Sequence, residues 1–199
     1  MAIERRDAPG RSLEGIYVIA PDEGGAVVAP PHPLYGGSMD SPVVNEVAYA
    51  CSRAGLSSLR FNWRGVGASS GAPSGDAADA DHDYDSALAH LEETVPGALV
   101  ACGYSFGAAA ALRAAAHPRV VRLVLVAPPP ALASAEALAG VGKRMLVLAG
   151  EHDRLAPPDA LREALGQAPH ATLAVVPGAD HFFGAGLADL ARLTSAWLG

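Results

Sequence analysis

One stretch constrains this chain more than any other, the run Ala98–Ala116, ALVACGYSFGAAAALRAAA. Small and apolar residues lead into Gly103-Tyr104-Ser105-Phe106-Gly107, and an alanine-rich segment of high helix propensity follows. The reading is a strand, a sharp turn and a helix. A serine at such a corner, with a glycine two residues to either side, has the pattern of a nucleophile elbow. The turn forces the serine backbone into a strained conformation, and side chains at 103 and 107 would collide with the neighbouring strand or helix. Ser105 is thereby pushed out of the sheet. A plain Gly/Ser loop is the alternative, and the strand and helix around the motif argue against it.

The rest of the chain alternates in the same way. Residues 13–20 and 25–31 read as two strands joined into an edge hairpin by the turn signal Pro21–Gly25. Ser41 and Pro42 open a helix as N-cap and first helical residue, and Gly55 ends it. Residues 57–62 form a strand, and a helix spans about 78–94. Segments 121–127 and 144–149 are almost continuously apolar, as strands buried on both faces are. Helix 158–165, strand 172–176 and a last helix with Leu187, Leu190, Ala191, Thr194, Trp197 and Leu198 on one face complete the pattern. This predicts an α/β fold with a mostly parallel sheet and helices on both faces. One domain over residues 1–199 is expected, with a core that a 50% hydrophobic chain can fill. About 17 residues separate the strands at 121–127 and 144–149, too few for a cap domain.

Charge excludes several partners. A net charge of −7 opposes binding to nucleic acid or an anionic membrane, both of which need a basic surface. The uncharged run Thr94–Leu112 contains Pro96, Gly97, Gly103 and Gly107 and fits a buried strand and helix better than a spanning helix. No apolar segment follows Arg5 and Arg6, so no secretory signal is visible and a cytoplasmic location is the default expectation. Cys51 and Cys102 read as small buried hydrophobes. Asp76, Asp79, Asp81, Asp83 and Asp85 crowd a helix start, where the dipole favours solvated carboxylates. A calcium loop in that register requires glycine where Tyr84 stands and glutamate where His90 stands. No stripe demands a dimer, and the oligomeric state stays open.

Ligand sites in such sheets lie beyond the carboxyl ends of the strands. Three reactive side chains stand there: Ser105, Asp153 and His181. A serine hydroxyl needs an imidazole to take its proton, and the imidazole needs a carboxylate to fix its tautomer. An oxyanion pocket would use the backbone N–H of Phe106 and one from the loop after strand 25–31. Pro33 has no N–H, which leaves Leu34 first and Tyr35 second. His32 borders that loop and either shapes the pocket, donates to substrate or makes a structural hydrogen bond. Tyr35, Phe106, Phe182 and Phe183 either line an acyl pocket or simply pack. Arg64 either ties its loop down or meets an anionic substrate. The chemistry requires no metal or organic cofactor.

Four segments carry a resemblance: PHPLYGG at Pro31–Gly37, FNWRGVG at Phe61–Gly67, GYSFGA at Gly103–Ala108 and GADHFF at Gly178–Phe183. With them the chain resembles the small, lidless bacterial serine hydrolases of the α/β-hydrolase superfamily, whose triad also runs Ser, Asp, His along the chain. The resemblance implies the α/β-hydrolase fold and hydrolysis of a small-molecule acyl substrate. Through the pattern Gly150–Asp153 it selects Asp153 over Glu151 and Asp180 as the acid. A carboxylic ester is the first reading. A thioester, lactone or peptide would use the same triad, and a non-catalytic binding protein is the alternative of another class. Without a cap, specificity is expected from loops at 32–37, 128–142 and 181–186.

Overall fold

The computed structural model describes residues 1–199. Eight strands form one sheet: β1 (Ala2–Glu4), β2 (Ser12–Val18), β3 (Gly25–Ala29), β4 (Ser57–Phe61), β5 (Leu99–Tyr104), β6 (Val120–Val126), β7 (Arg144–Gly150) and β8 (Ala171–Val176). Their spatial order is β1-β2-β4-β3-β5-β6-β7-β8. From β4 to β8 all pairings are parallel, and β1 and β2 run antiparallel at one edge. The central strands β3, β5 and β7 are buried along nearly their whole length, which explains their unbroken apolar sequences.

Six helices cover the sheet: α1 (Pro42–Arg53), α2 (Ala77–Thr94), α3 (Phe106–Arg113), α4 (Ala135–Ala139), α5 (Pro158–Ala164) and α6 (Leu187–Leu198). α1 packs on α6, and α2 on α3. Alternation along β4 shows that these pairs lie on opposite faces. Phe61 meets Tyr84 of α2 edge-on, whereas Ser58, an odd number of residues away, reaches Ser52 of α1. The buried face of α6 carries Leu190, Ala191, Thr194 and Leu198.

The expected hairpin does not form. β2 and β3 are not partners, because β4 lies between them, parallel to β3 and antiparallel to β2. The crossover through α1 returns the chain beside β3, and β2 is left to pair on the outer side of β4. β1 is a further strand, three residues long, that caps the β2 edge. Ser41 occupies the N-cap of α1 with Pro42 in the first turn, but its side chain makes no capping bond.

The aspartates of α2 are only partly solvated. Asp76 is the N-cap and accepts from the N–H of Ala78. Asp83, however, is 1% exposed and is gripped by Arg64, whose Nε and Nη2 donate to Oδ1 at 3.0 and 2.8 Å while its backbone N–H donates to Oδ2 at 2.8 Å. Arg64 also pairs with Asp79 and Asp7, and Arg5 with Asp7 and Asp83. Arg64 is therefore a structural tie, bound to three carboxylates and to the carbonyl of Asp79. Cys51 and Cys102 are both buried, as expected.

Candidate active site

Ser105 sits between β5 and α3 at φ 54° and ψ −114°, a region that disfavours a residue with a Cβ. The glycines around it make this turn sterically feasible. A Cβ on Gly103 would fall on the carbonyl of Gly107, and one on Gly107 would lie 2.5 Å from the carbonyl oxygen of Pro30. The backbone is held by the Ser105 N–H, which donates to the carbonyl of Val126 at 2.8 Å. Strain is thus locked in place by the sheet on one side and close packing on the other.

His181 Nε2 lies 3.0 Å from Ser105 Oγ, and His181 Nδ1 lies 2.8 Å from Asp153 Oδ2 and 3.0 Å from Oδ1. An ionised carboxylate can only accept, so Nδ1 carries the proton and Nε2 is left to accept from the serine hydroxyl. Burial disfavours the charge on Asp153, but hydrogen bonds from His181 and from the N–H groups of Ala156 and Leu155 outweigh it and hold the carboxyl below its usual range. Three donors thus converge on a carboxylate that is 3% exposed. The rivals are used elsewhere: Glu151 accepts from Gly178 N–H, and Asp180 accepts from Phe182 N–H, shaping the loop that carries His181.

Phe106 opens α3 directly after Ser105, so its N–H has no acceptor one turn back. On the other side of the corner, His32–Tyr35 form a tight turn. The N–H of Leu34 donates to His32 Nδ1 at 3.2 Å, and the N–H of Tyr35 to the carbonyl of His32 at 3.1 Å. His32 Nδ1 is thus used within the loop, and its ring lies tilted against those of Tyr35 and Phe106, with centroids at 4.7 and 4.6 Å. Burial depresses its pKa and keeps the imidazole neutral enough to accept. Of the four aromatics expected near the serine, Phe106 and Phe183 are buried, while Tyr35 and Phe182 stand at the rim.

A model of the α/β hydrolase fold matches residues 32–143, more than half of the chain. The chain belongs to the α/β-hydrolase fold family. Solved α/β-hydrolase structures overlay closely on it. A serine hydrolase homologue from Coxiella burnetii is 28% identical with a TM-score of 0.89, covering 100% of this chain and 96% of that one. A serine hydrolase without lid from Xanthomonas campestris is 28% identical with a TM-score of 0.84, covering 98% of this chain and 91% of that one. A thiohydrolase of Arthrinium phaeospermum is 34% identical over 134 residues, 64% of this chain and 43% of that protein.

Within this α/β-hydrolase chain, a cleft of about 490 Å³ runs past Ser105 and His181, lined also by Pro31, His32, Tyr35, Tyr104, Leu155 and Phe182. Three of the residues around it escaped sequence reasoning. The Tyr104 phenol, pushed up by burial and then by the charges of Asp153 and Asp180, donates to the carbonyl of His181 at 2.8 Å. Leu155 lies two residues beyond Asp153 and turns its side chain to solvent. Trp63 is buried, and its Nε1–H is shared between the carbonyls of Pro30 and Pro31 at 3.1 and 3.0 Å. Its ring meets Phe106 edge-on at 5.6 Å, so both sides of the serine corner rest on one indole. The aromatic between Asn62 and Arg64 was the available signal, but the carbonyls it holds lie 33 and 32 residues away, so no local pattern marks the contact.

Proposed function

We propose that the protein is a serine hydrolase that cleaves carboxylic esters through an acyl-enzyme on Ser105. The observation that carries this reading is the continuous chain of hydrogen bonds from Ser105 Oγ through His181 to the buried carboxylate of Asp153. Ser105 Oγ attacks the carbonyl carbon as its proton passes to His181 Nε2, and Asp153 stabilises the imidazolium that forms. His181 then gives the proton to the leaving oxygen, the C–O bond breaks, and a water activated by the same imidazole releases the acid.

The developing oxyanion takes the N–H of Phe106 and, in this reading, that of Leu34. In the resting site Leu34 N–H rests on the neutral Nδ1 of His32. An anionic oxygen is the stronger acceptor by roughly a factor of two, so the donor turns to it only as negative charge develops. A serine hydrolase without lid among the similar structures supports an open site. The likeness to a thiohydrolase favours a second reading in which the bond cleaved is a thioester.

Hydrolysis of p-nitrophenyl esters by wild type and Ser105→Ala tests the proposal. The variant is expected to lose about 10⁴- to 10⁶-fold in kcat while staying folded. Turnover within tenfold of wild type would refute the assignment of Ser105.

A further inference from the structure

The surface around Ser105 divides into two lobes, and no lysine or arginine lines the cleft between them. β5 ends between β3 on one side and β6, β7 and β8 on the other. Loops after β3 therefore flank the serine on one side, and loops after β7 and β8 flank it on the other. The first lobe offers Pro31, Tyr35 and Pro42, and the second Leu155 and Phe182, all lining the same cleft. Tyr35, Leu155 and Phe182 are 87%, 58% and 72% exposed and cluster around one cleft, so they form an apolar rim rather than scattered surface side chains.

The charged groups argue the same way. No lysine or arginine lines the cleft; of its two imidazoles, His181 is held in the Ser105–Asp153 relay and His32 uses Nδ1 to accept from Leu34 N–H, its ring kept toward the neutral form by burial. Arg64, in the loop after β4, is buried on three carboxylates. Arg154 faces a separate cleft with Glu151, Asp159 and Arg162. The whole chain holds a net charge of −7, which repels anions approaching the rim.

We infer that the substrate is uncharged and apolar on both sides of the bond that is cleaved, so that anionic thioesters and hemiesters of dicarboxylic acids are excluded. The inference rests on the hydrolase reading and narrows it. Desolvating a phosphate or carboxylate against Tyr35, Leu155 and Phe182 without a paired cation is unfavourable, whereas an alkyl or aryl group there removes exposed apolar surface from water.

Matched pairs test it. The hexanoyl thioester of pantetheine and that of coenzyme A share acyl group, arm and scissile bond and differ in the anionic phosphorylated nucleotide; p-nitrophenyl hexanoate and p-nitrophenyl hemisuccinate vary charge on the acyl side. The neutral member of each pair is expected to show a kcat/KM at least about 100-fold higher, a ratio that 0.5 M salt lowers. Phe182→Ala and Leu155→Ala are expected to lower the hexanoate-to-acetate ratio of kcat/KM several-fold, and Leu155→Arg to narrow the neutral-to-anionic ratio about tenfold. Equal or faster turnover of the charged members, lost in Ser105→Ala, would overturn the inference and leave the hydrolase reading standing. No turnover of any ester would remove both.

Discussion

Asp153 couples stability to the proposed relay through a single carboxylate. Its carboxylate is buried, yet His181 and two backbone N–H groups keep it ionised. Because its folded pKa lies below the ordinary value of 3.8, its contribution to stability is fully present above that value and is lost as pH falls through the folded pKa. Urea midpoints of wild type and Asp153→Asn, measured from pH 6 to pH 2, are expected to converge toward the acid end. A constant gap at all pH values would contradict this. The same variant is expected to lose about 10⁴-fold in kcat, because an amide lets the imidazole adopt the wrong tautomer. At this scale much of the site was legible: Ser105, Asp153 and His181 each follow a strand, and the structure brings them within hydrogen-bonding reach. The His32–Leu34 bond was not legible, since it depends on a ring turning back onto the next residue but one.

The elements that carry the site are held together by a path running away from it. α2 presents Asp83 to Arg64, Arg64 fixes the loop after β4, and Trp63 in that loop holds the carbonyls of Pro30 and Pro31 beside His32. Removing the carboxylate in Asp83→Ala leaves Arg5 and Arg64 short of a buried partner and is expected to destabilise the fold by about 3–5 kcal/mol in chemical denaturation. Trp63→Phe keeps the ring against Phe106 but deletes both hydrogen bonds. It is expected to lower kcat about tenfold with a smaller change in KM, since it loosens the loop proposed to supply the Leu34 N–H. An unchanged kcat would show that the loop keeps its place without the indole. These ties explain why Asp83 departs from the solvated helix start that its neighbours Asp76 and Asp85 keep: Arg5 and Arg64 lie 78 and 19 residues from Asp83, and no local pattern announces a partner so far away.

Across the whole molecule, the strands themselves were readable from apolar runs and turn residues, but the order of β2, β3 and β4 was not. Two adjacent strands with a turn between them are compatible both with a hairpin and with a loop that steps over a third strand. The crossover through α1 decides for the second, information that resides in packing rather than in residues 13–31. Between β6 and β7 the chain forms only the five-residue helix α4 and short loops, so nothing closes over Ser105. Rates on a sparingly soluble ester are therefore expected to rise smoothly through its solubility limit. A jump in rate at the onset of aggregation would reveal a closure that this architecture does not contain. The most direct measurement is intact and peptide mass spectrometry after exposure to a fluorophosphonate. One stoichiometric adduct is expected, on Ser105, that is absent in Ser105→Ala and forms far more slowly in His181→Ala. A folded wild-type protein that stays unmodified, or carries the adduct on another residue, would contradict it.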